Sequence, residues 1–133
     1  MPSSQSKIRV IISSSPDNGL AEMFCGYLTH YGEHRISATL LPKQRVLPDH
    51  VRRILQEDGI HTYGETNTEL IKTFDFGVVF NDYPLPKDTI TAHMRRFAID
   101  IANEEDKHSL RQTRETVKRL AIDVLGEALR TQK

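Results

Sequence analysis

The decisive stretch reads Ile8-Arg9-Val10-Ile11-Ile12-Ser13-Ser14-Ser15-Pro16-Asp17-Asn18-Gly19-Leu20-Ala21-Glu22-Met23. Its first five residues are almost continuously apolar, as suits a strand buried on both faces of a sheet. A run of small, polar and turn-forming residues follows. Beyond it, Leu20, Met23, Phe24, Tyr27 and Leu28 recur at helical spacing. Ser15 is placed to cap that helix, Pro16 to open it and Gly32 to end it. A buried strand, a tight polar loop and an amphipathic helix make the first unit of an α/β domain. In such domains ligands gather beyond the carboxyl ends of the strands.

Outward from this unit, apolar runs keep alternating with helical patterns, which favours a parallel sheet with right-handed crossovers. Ile36 to Leu41 is predicted as the second strand, Phe76 to Phe80 as the third and Phe97 to Ile101 as a short fourth. Pro48 opens a helix that carries Val51, Ile54 and Leu55 on one face, with Gly59 beyond its end. Thr66-Asn67-Thr68-Glu69 has capping-box spacing and predicts a short helix to about Thr73. The last helix is expected from about Ser109 to Arg130, with Val117, Leu120, Ala121, Val124 and Ala128 as its buried stripe. Residues 1–6 read as a disordered tail and 7–133 as one domain. The loops expected to meet at the carboxyl ends are Ser13–Gly19, Asn81–Pro86 and the segment after Asp100.

Composition narrows the function. The chain has 133 residues, enough for one core, and its 18 Lys plus Arg match its 18 Asp plus Glu. That balance gives no global attraction to nucleic acid or to an anionic membrane, so neither is expected as a partner. No apolar run approaches the roughly 20 residues of a membrane span, and no secretion segment follows Met1, so a cytoplasmic location is expected. The single cysteine, Cys25, excludes a relay of several thiols within the chain. No His-x-x-His or Cys-x-x-Cys pair suggests a metal, and the loop has no Gly-x-Gly-x-x-Gly pattern, so neither a metal nor a cofactor is expected.

The order of these segments resembles that of the low-molecular-weight tyrosine phosphatases and arsenate reductases. That family opens with a strand, then Cys, five residues and Arg, then a helix carrying Met-Ala-Glu. Here Leu20-Ala21-Glu22-Met23 is similar to the helix start, Ser37-Ala38-Thr39 to the family's Ser-Ala-Gly strand, and Pro48 through Gly59-Ile60-His61 to its Pro-x-Ala…Gly-Ile-Asp segment. Phe74-Asp75-Phe76-Gly77-Val78-Val79 resembles its Phe-Asp-x-Val-Val strand. Asp100-Ile101-Ala102 resembles its Asp-Pro-Ala, and Thr113 to Val117 its late Val-Arg-Asp-x-Ile. The resemblance implies a three-layer sandwich, with a four-stranded parallel sheet of order 2-1-3-4 flanked by helices.

The chemistry of that family does not follow. Its cysteine would fall near Ile12 or Ser13 and its arginine at Asp17. No arginine occurs between Ile11 and Gly32, and the segment after the third strand, Phe80-Asn81-Asp82-Tyr83-Pro84, has no thiol. A phosphatase loop needs a thiolate to attack phosphorus, an arginine to clamp the equatorial oxygens, and backbone N–H groups to cradle the anion. Only the cradle can remain. Ser13, Ser14, Ser15, Asp17 and Asn18 are therefore candidates for a remnant anion loop. A serine hydroxyl needs a base, and no histidine lies in the loop. Asp17 is read either as a first-turn acid or as a carboxylate that occupies the cradle itself.

Asp100 resembles the family's general acid, and Asp17, Asp82 and Asp100 could line one acidic mouth suited to a cation or a basic partner. Cys25 is read as a small buried residue of the first helix. The leading reading is a catalytically inactive relative that binds a small anion, a protein partner or a second copy of itself. The alternative is a phosphate-ester hydrolase of altered chemistry that uses a loop serine, or a metal, together with Asp100. A third is an unrelated flavodoxin-like module.

Overall fold

The computed structural model describes residues 7–15, 18–41, 46–61, 73–99 and 106–131. The elements are β1 (Ile8–Ser13), α1 (Leu20–Gly32), β2 (Ile36–Leu41), α2 (Asp49–Glu57), β3 (Thr73–Phe80), β4 (Ile90–Phe97) and α3 (Lys107–Thr131). The strands form one sheet in the order β2-β1-β3-β4, and every neighbouring pair is parallel. This is the sheet order that the family resemblance implies. The capping-box helix from Thr66 lies outside the described residues.

β1, between β2 and β3, is buried at every residue but Arg9. Val10, Ile11 and Ile12 are all buried. Ile8, Val10 and Ile12 join Phe76, Val78 and Phe80 of β3 in the core shared with the three helices, while Ile11 and Val79 are buried outside that cluster. α1 is buried continuously from Leu20 to Leu28 because it lies against both β2 and α3. Phe24 packs edge-on to Phe80 with ring centroids 5.4 Å apart. Truncating either ring to Ala would cost about 3–5 kcal/mol. α2 buries Val51, Ile54 and Leu55, as its spacing predicts, and Gly59 beyond its end has φ +76°. Ile60 N–H then bonds back to the Leu55 carbonyl at 3.0 Å.

Several boundaries differ from the sequence expectation. The fourth strand is Ile90–Phe97, not Phe97–Ile101. As the edge strand it is largely exposed, so Thr91, His93, Arg95 and Arg96 break the apolar run that marks the inner strands. The first helix begins at Leu20, not at Pro16 capped by Ser15. Gly19 is its N-cap, in the left-handed region at φ +76°. A Cβ there would lie 2.9 Å from Val51 Cγ1, so the first turn of α1 needs a glycine for both conformation and space. β3 also begins earlier than expected, at Thr73. α3 begins at Lys107 because Asp106 caps it: Asp106 Oδ1 accepts the His108 N–H at 3.0 Å.

Candidate functional site

The loops beyond β1 and β3 meet through Ser13. Its side chain is fully buried at the end of β1, and its hydroxyl proton lies between two carbonyls, Tyr83 O at 3.1 Å and Pro84 O at 3.2 Å. The hydroxyl thus joins the first loop to the β3–β4 connection. Both acceptors are neutral carbonyls, which cannot take the proton as a base would.

The start of α1 is closed by the loop's own side chains. Asn18 Oδ1 accepts the Leu20 N–H at 3.0 Å, and Ser14 Oγ accepts the Ala21 N–H at 3.2 Å. The Ser14 proton is directed at Ser15 O (3.2 Å) and Asn18 Oδ1 (3.5 Å). The Asn18 bond to the amide two residues on is an Asx turn, which competes with helix and explains why α1 starts late. Two of the orphan donors that make a helix N-terminus attractive to anions are therefore already paired.

The β3–β4 connection starts with a tight turn. Asn81 (φ 53°) and Asp82 (φ 59°) are both left-handed, and the Tyr83 N–H reaches the Phe80 carbonyl at 3.1 Å. An Asn-Asp pair after an apolar strand is the sequence signal for such a turn. Asn81 also holds the exit of β4. Its Nδ2 donates to Ile99 O at 3.0 Å, and its Oδ1 accepts the Ile99 N–H at 2.8 Å. The residue before Asp100 is thereby fixed by a side chain that acts as a strand edge. The sequence reading placed Asn81 in a site loop but missed this clamp.

Of the predicted site residues, Ser13, Ser14, Ser15 and Asn18 gather at the carboxyl end of β1. Asp82 is exposed in the neighbouring turn. Asp17 and Asp100 lie outside the described residues. Among the described residues, no group of His, Cys, Asp and Glu is arranged to hold a metal ion. Cys25 is fully buried, and burial, aided by Glu22, pushes its thiol up to about 12. It is a core residue of α1, as expected, and not a thiolate at neutral pH.

The charged side chains form their own cluster where α1, α2 and α3 meet. Glu57 takes Arg111 Nε at 3.0 Å and Nη2 at 2.9 Å, and also Arg114 Nη1 at 3.0 Å. Hydrogen bonds from Arg111, then Arg114, lower its pKa to about 2. Tyr27 OH donates to Asp58 Oδ2 at 2.8 Å, and this bond holds Asp58 below the usual carboxylate range. Burial, then Asp58, pushes Tyr27 well above the ordinary phenol value.

Solved structures share this architecture. An arsenate reductase in an intermediate state superposes with a TM-score of 0.71 at 18% identity, over 90% of this chain and 98% of that one. One in a phosphate-binding state gives 0.70 at 12% identity, over 92% and 99%. The Corynebacterium glutamicum thioredoxin-dependent arsenate reductase gives 0.67 at 12% identity, over 97% of this chain and 65% of that one. The chain has the fold of the arsenate reductases. At these identities the likeness concerns the fold alone. No family model and no curated protein matches the sequence. Among the described residues, no helix is long and apolar enough to cross a bilayer.

Proposed function

We propose that this chain is a binding protein built on the arsenate reductase fold, without that fold's cysteine chemistry. The observation that carries the reading is Ser13. At the strand end where the resemblance puts a nucleophilic cysteine stands a buried hydroxyl whose proton is given to the Tyr83 and Pro84 carbonyls. The capped amides of Leu20 and Ala21 support it, because they leave less of a cradle for an oxyanion. So does Cys25, which is buried in α1 and protonated at neutral pH. The proposed ligand is a protein partner or a small anion held weakly at the remnant loop, and the proposed location is the cytoplasm. Asp82, with Asp17 and Asp100, would give that mouth an acidic rim.

The test is turnover. The purified chain is assayed for arsenate reduction with a thioredoxin system and for aryl phosphate hydrolysis. No turnover above background is expected, and a phosphate titration followed by amide NMR should shift the Leu20 and Ala21 resonances little. Hydrolysis that disappears in Asp100→Ala would overturn the reading in favour of a hydrolase with altered chemistry. Reduction that survives Cys25→Ser would overturn it as well.

A further inference from the structure

α2 is nine residues long, and no side chain caps its first turn. A helix this short is marginal by itself in water, so tertiary contacts hold it. Its main neighbours among the described elements are α3 and α1. It buries Val51, Ile54 and Leu55, whereas α1 is buried without a break from Leu20 to Leu28. Its carboxyl end is completed from α3. Arg114 Nη1 donates to the Ile54 carbonyl at 3.0 Å, one of the four that a helix leaves open. The same nitrogen donates to Glu57, which Arg111 also grips, and Lys118 stands 3.6 Å from Asp58. Both carboxylates are partly open to water, Glu57 by 39% and Asp58 by 34%. Just beyond, Gly59 is in the left-handed region with no heavy atom within 4 Å of the place of a Cβ, and Ile60 is buried. At the other end of α2, Val51 lies over Gly19.

We propose that α2 is a strap over the first turn of α1, which lifts away as a unit while the sheet stays folded, with the bonds of Glu57 to Arg111 and Arg114 as its latch. An element with few buried apolar side chains opens at a lower cost than the core it lies on. The latch adds contacts that salt screens, because its carboxylates face water. Gly59 supplies the bend, since the space around it is open, and Ile60 anchors the chain behind it. Lifting α2 takes Val51 off Gly19. The turn that Gly19 starts, closed by the Met23 N–H on the Gly19 carbonyl at 2.9 Å, then loses its cover. The latch at one end of α2 thereby governs access to the loop at the other. This holds whether or not that loop binds an anion.

Native-state hydrogen exchange on the full chain, followed by NMR, tests this. The Ile54 and Leu55 amides of α2 are expected to exchange through a cheaper opening than the Ile11 and Ile12 amides of β1. Ile36→Val trims the core beside Leu125, at the other end of α1. It should speed Ile11 and Ile12 about two- to tenfold and leave Ile54 and Leu55 unchanged, because the lifted state keeps that contact. Glu57→Gln breaks the latch, which both openings lose, so it should speed all four amides by the same few-fold factor. Salt at about 0.5 M should speed Ile54 and Leu55 more in the wild type than in Glu57→Gln. Met23 should follow Ile54. If Ile36→Val speeds α2 as much as β1, α2 opens only with the whole fold and the proposal is overturned. Exchange of α2 that ignores both Glu57→Gln and salt overturns the latch, and a Met23 amide that keeps the pace of β1 overturns the link to the loop. Low urea reads the same distinction without a variant: exchange of α2 should depend on urea less steeply than that of β1, and equal slopes overturn the strap.

Discussion

Two regions of this molecule hold themselves together by opposite means. At the carboxyl end of the sheet the contacts are neutral: hydroxyl to carbonyl at Ser13, amide to hydroxyl at Ser14 and Ala21, carboxamide to backbone at Asn18 and Asn81. At the junction of α1, α2 and α3 the contacts are charged, with Glu57 between Arg111 and Arg114 and Asp58 between Tyr27 and Lys118. α2 connects the two, since Val51 near its start packs beside Gly19 and Glu57 at its end receives α3. In an active anion site the positive charge would stand at the loop. Here Arg111, with clamp-like bidentate geometry, and Arg114, through one nitrogen, grip the chain's own Glu57 carboxylate at the far end of α2. At the start of α1 the described donors are met by neutral oxygens instead, Leu20 N–H by Asn18 and Ala21 N–H by Ser14.

The largest expected effect breaks the neutral region. Gly19→Ala must hold a Cβ at φ +76°, 2.9 Å from the Val51 side chain. Strain and overpacking together predict a loss of about 3 kcal/mol in a urea titration. Adding Val51→Ala relieves the clash but not the backbone strain, so the double variant should lose less than the sum of the two single losses. Strict additivity would show that the contact between the first turn of α1 and α2 does not constrain the loop.

A smaller effect tests the bridge between the loops. Ser13→Ala leaves the Tyr83 and Pro84 carbonyls without the buried donor that joins them to β1. A loss of about 1–2 kcal/mol is expected, with faster hydrogen exchange in the Asn81–Leu85 turn. A variant as stable as the wild type, with unchanged exchange, would mean that Ser13 is free for other chemistry.

The two regions were not equally legible in the sequence. The inner strands and α2 were readable because burial on both faces, or on one helical stripe, writes a simple period into the chain. Ile36–Leu41 and Pro48–Gly59 fall where that period places them. β4 was displaced because an edge strand needs no apolar run, and ITAHMRRF has none. The start of α1 was misread because two local signals compete there. Ser15-Pro16 has the grammar of a helix opening, but the Asx turn at Asn18 and the left-handed Gly19 postpone the first turn to Leu20. The absence of cysteine and arginine from the loop could be read directly. That Ser13 would give its proton to the next loop could not, because Tyr83 and Pro84 are brought to it only by the parallel pairing of β1 with β3. The charged junction is long-range in the same sense, joining residues of three helices whose charges look like ordinary solvated faces along the chain.

The smallest effect sharpens the comparison from the charged side. The Glu57 pKa is lowered from 4.5 to about 2 by its bonds to Arg111 and Arg114, and Asp58 is lowered from 3.8 by its bond to Tyr27. A carboxylate with a depressed folded-state pKa binds its proton more readily in the unfolded chain. The stabilisation it gives is therefore complete above about pH 4.5 and fades as pH falls toward 2. Glu57→Gln keeps the shape and removes the charge. It should lower the urea midpoint modestly at neutral pH, because this cluster is exposed and screened. Its deficit should shrink as pH falls from 4.5 toward 2, until it matches the wild type. The Ser13→Ala deficit should stay constant over the same range, since neither a hydroxyl nor a carbonyl titrates there. Two parallel pH profiles would mean that the charged junction contributes nothing of its own, and the contrast between the two regions would reduce to packing.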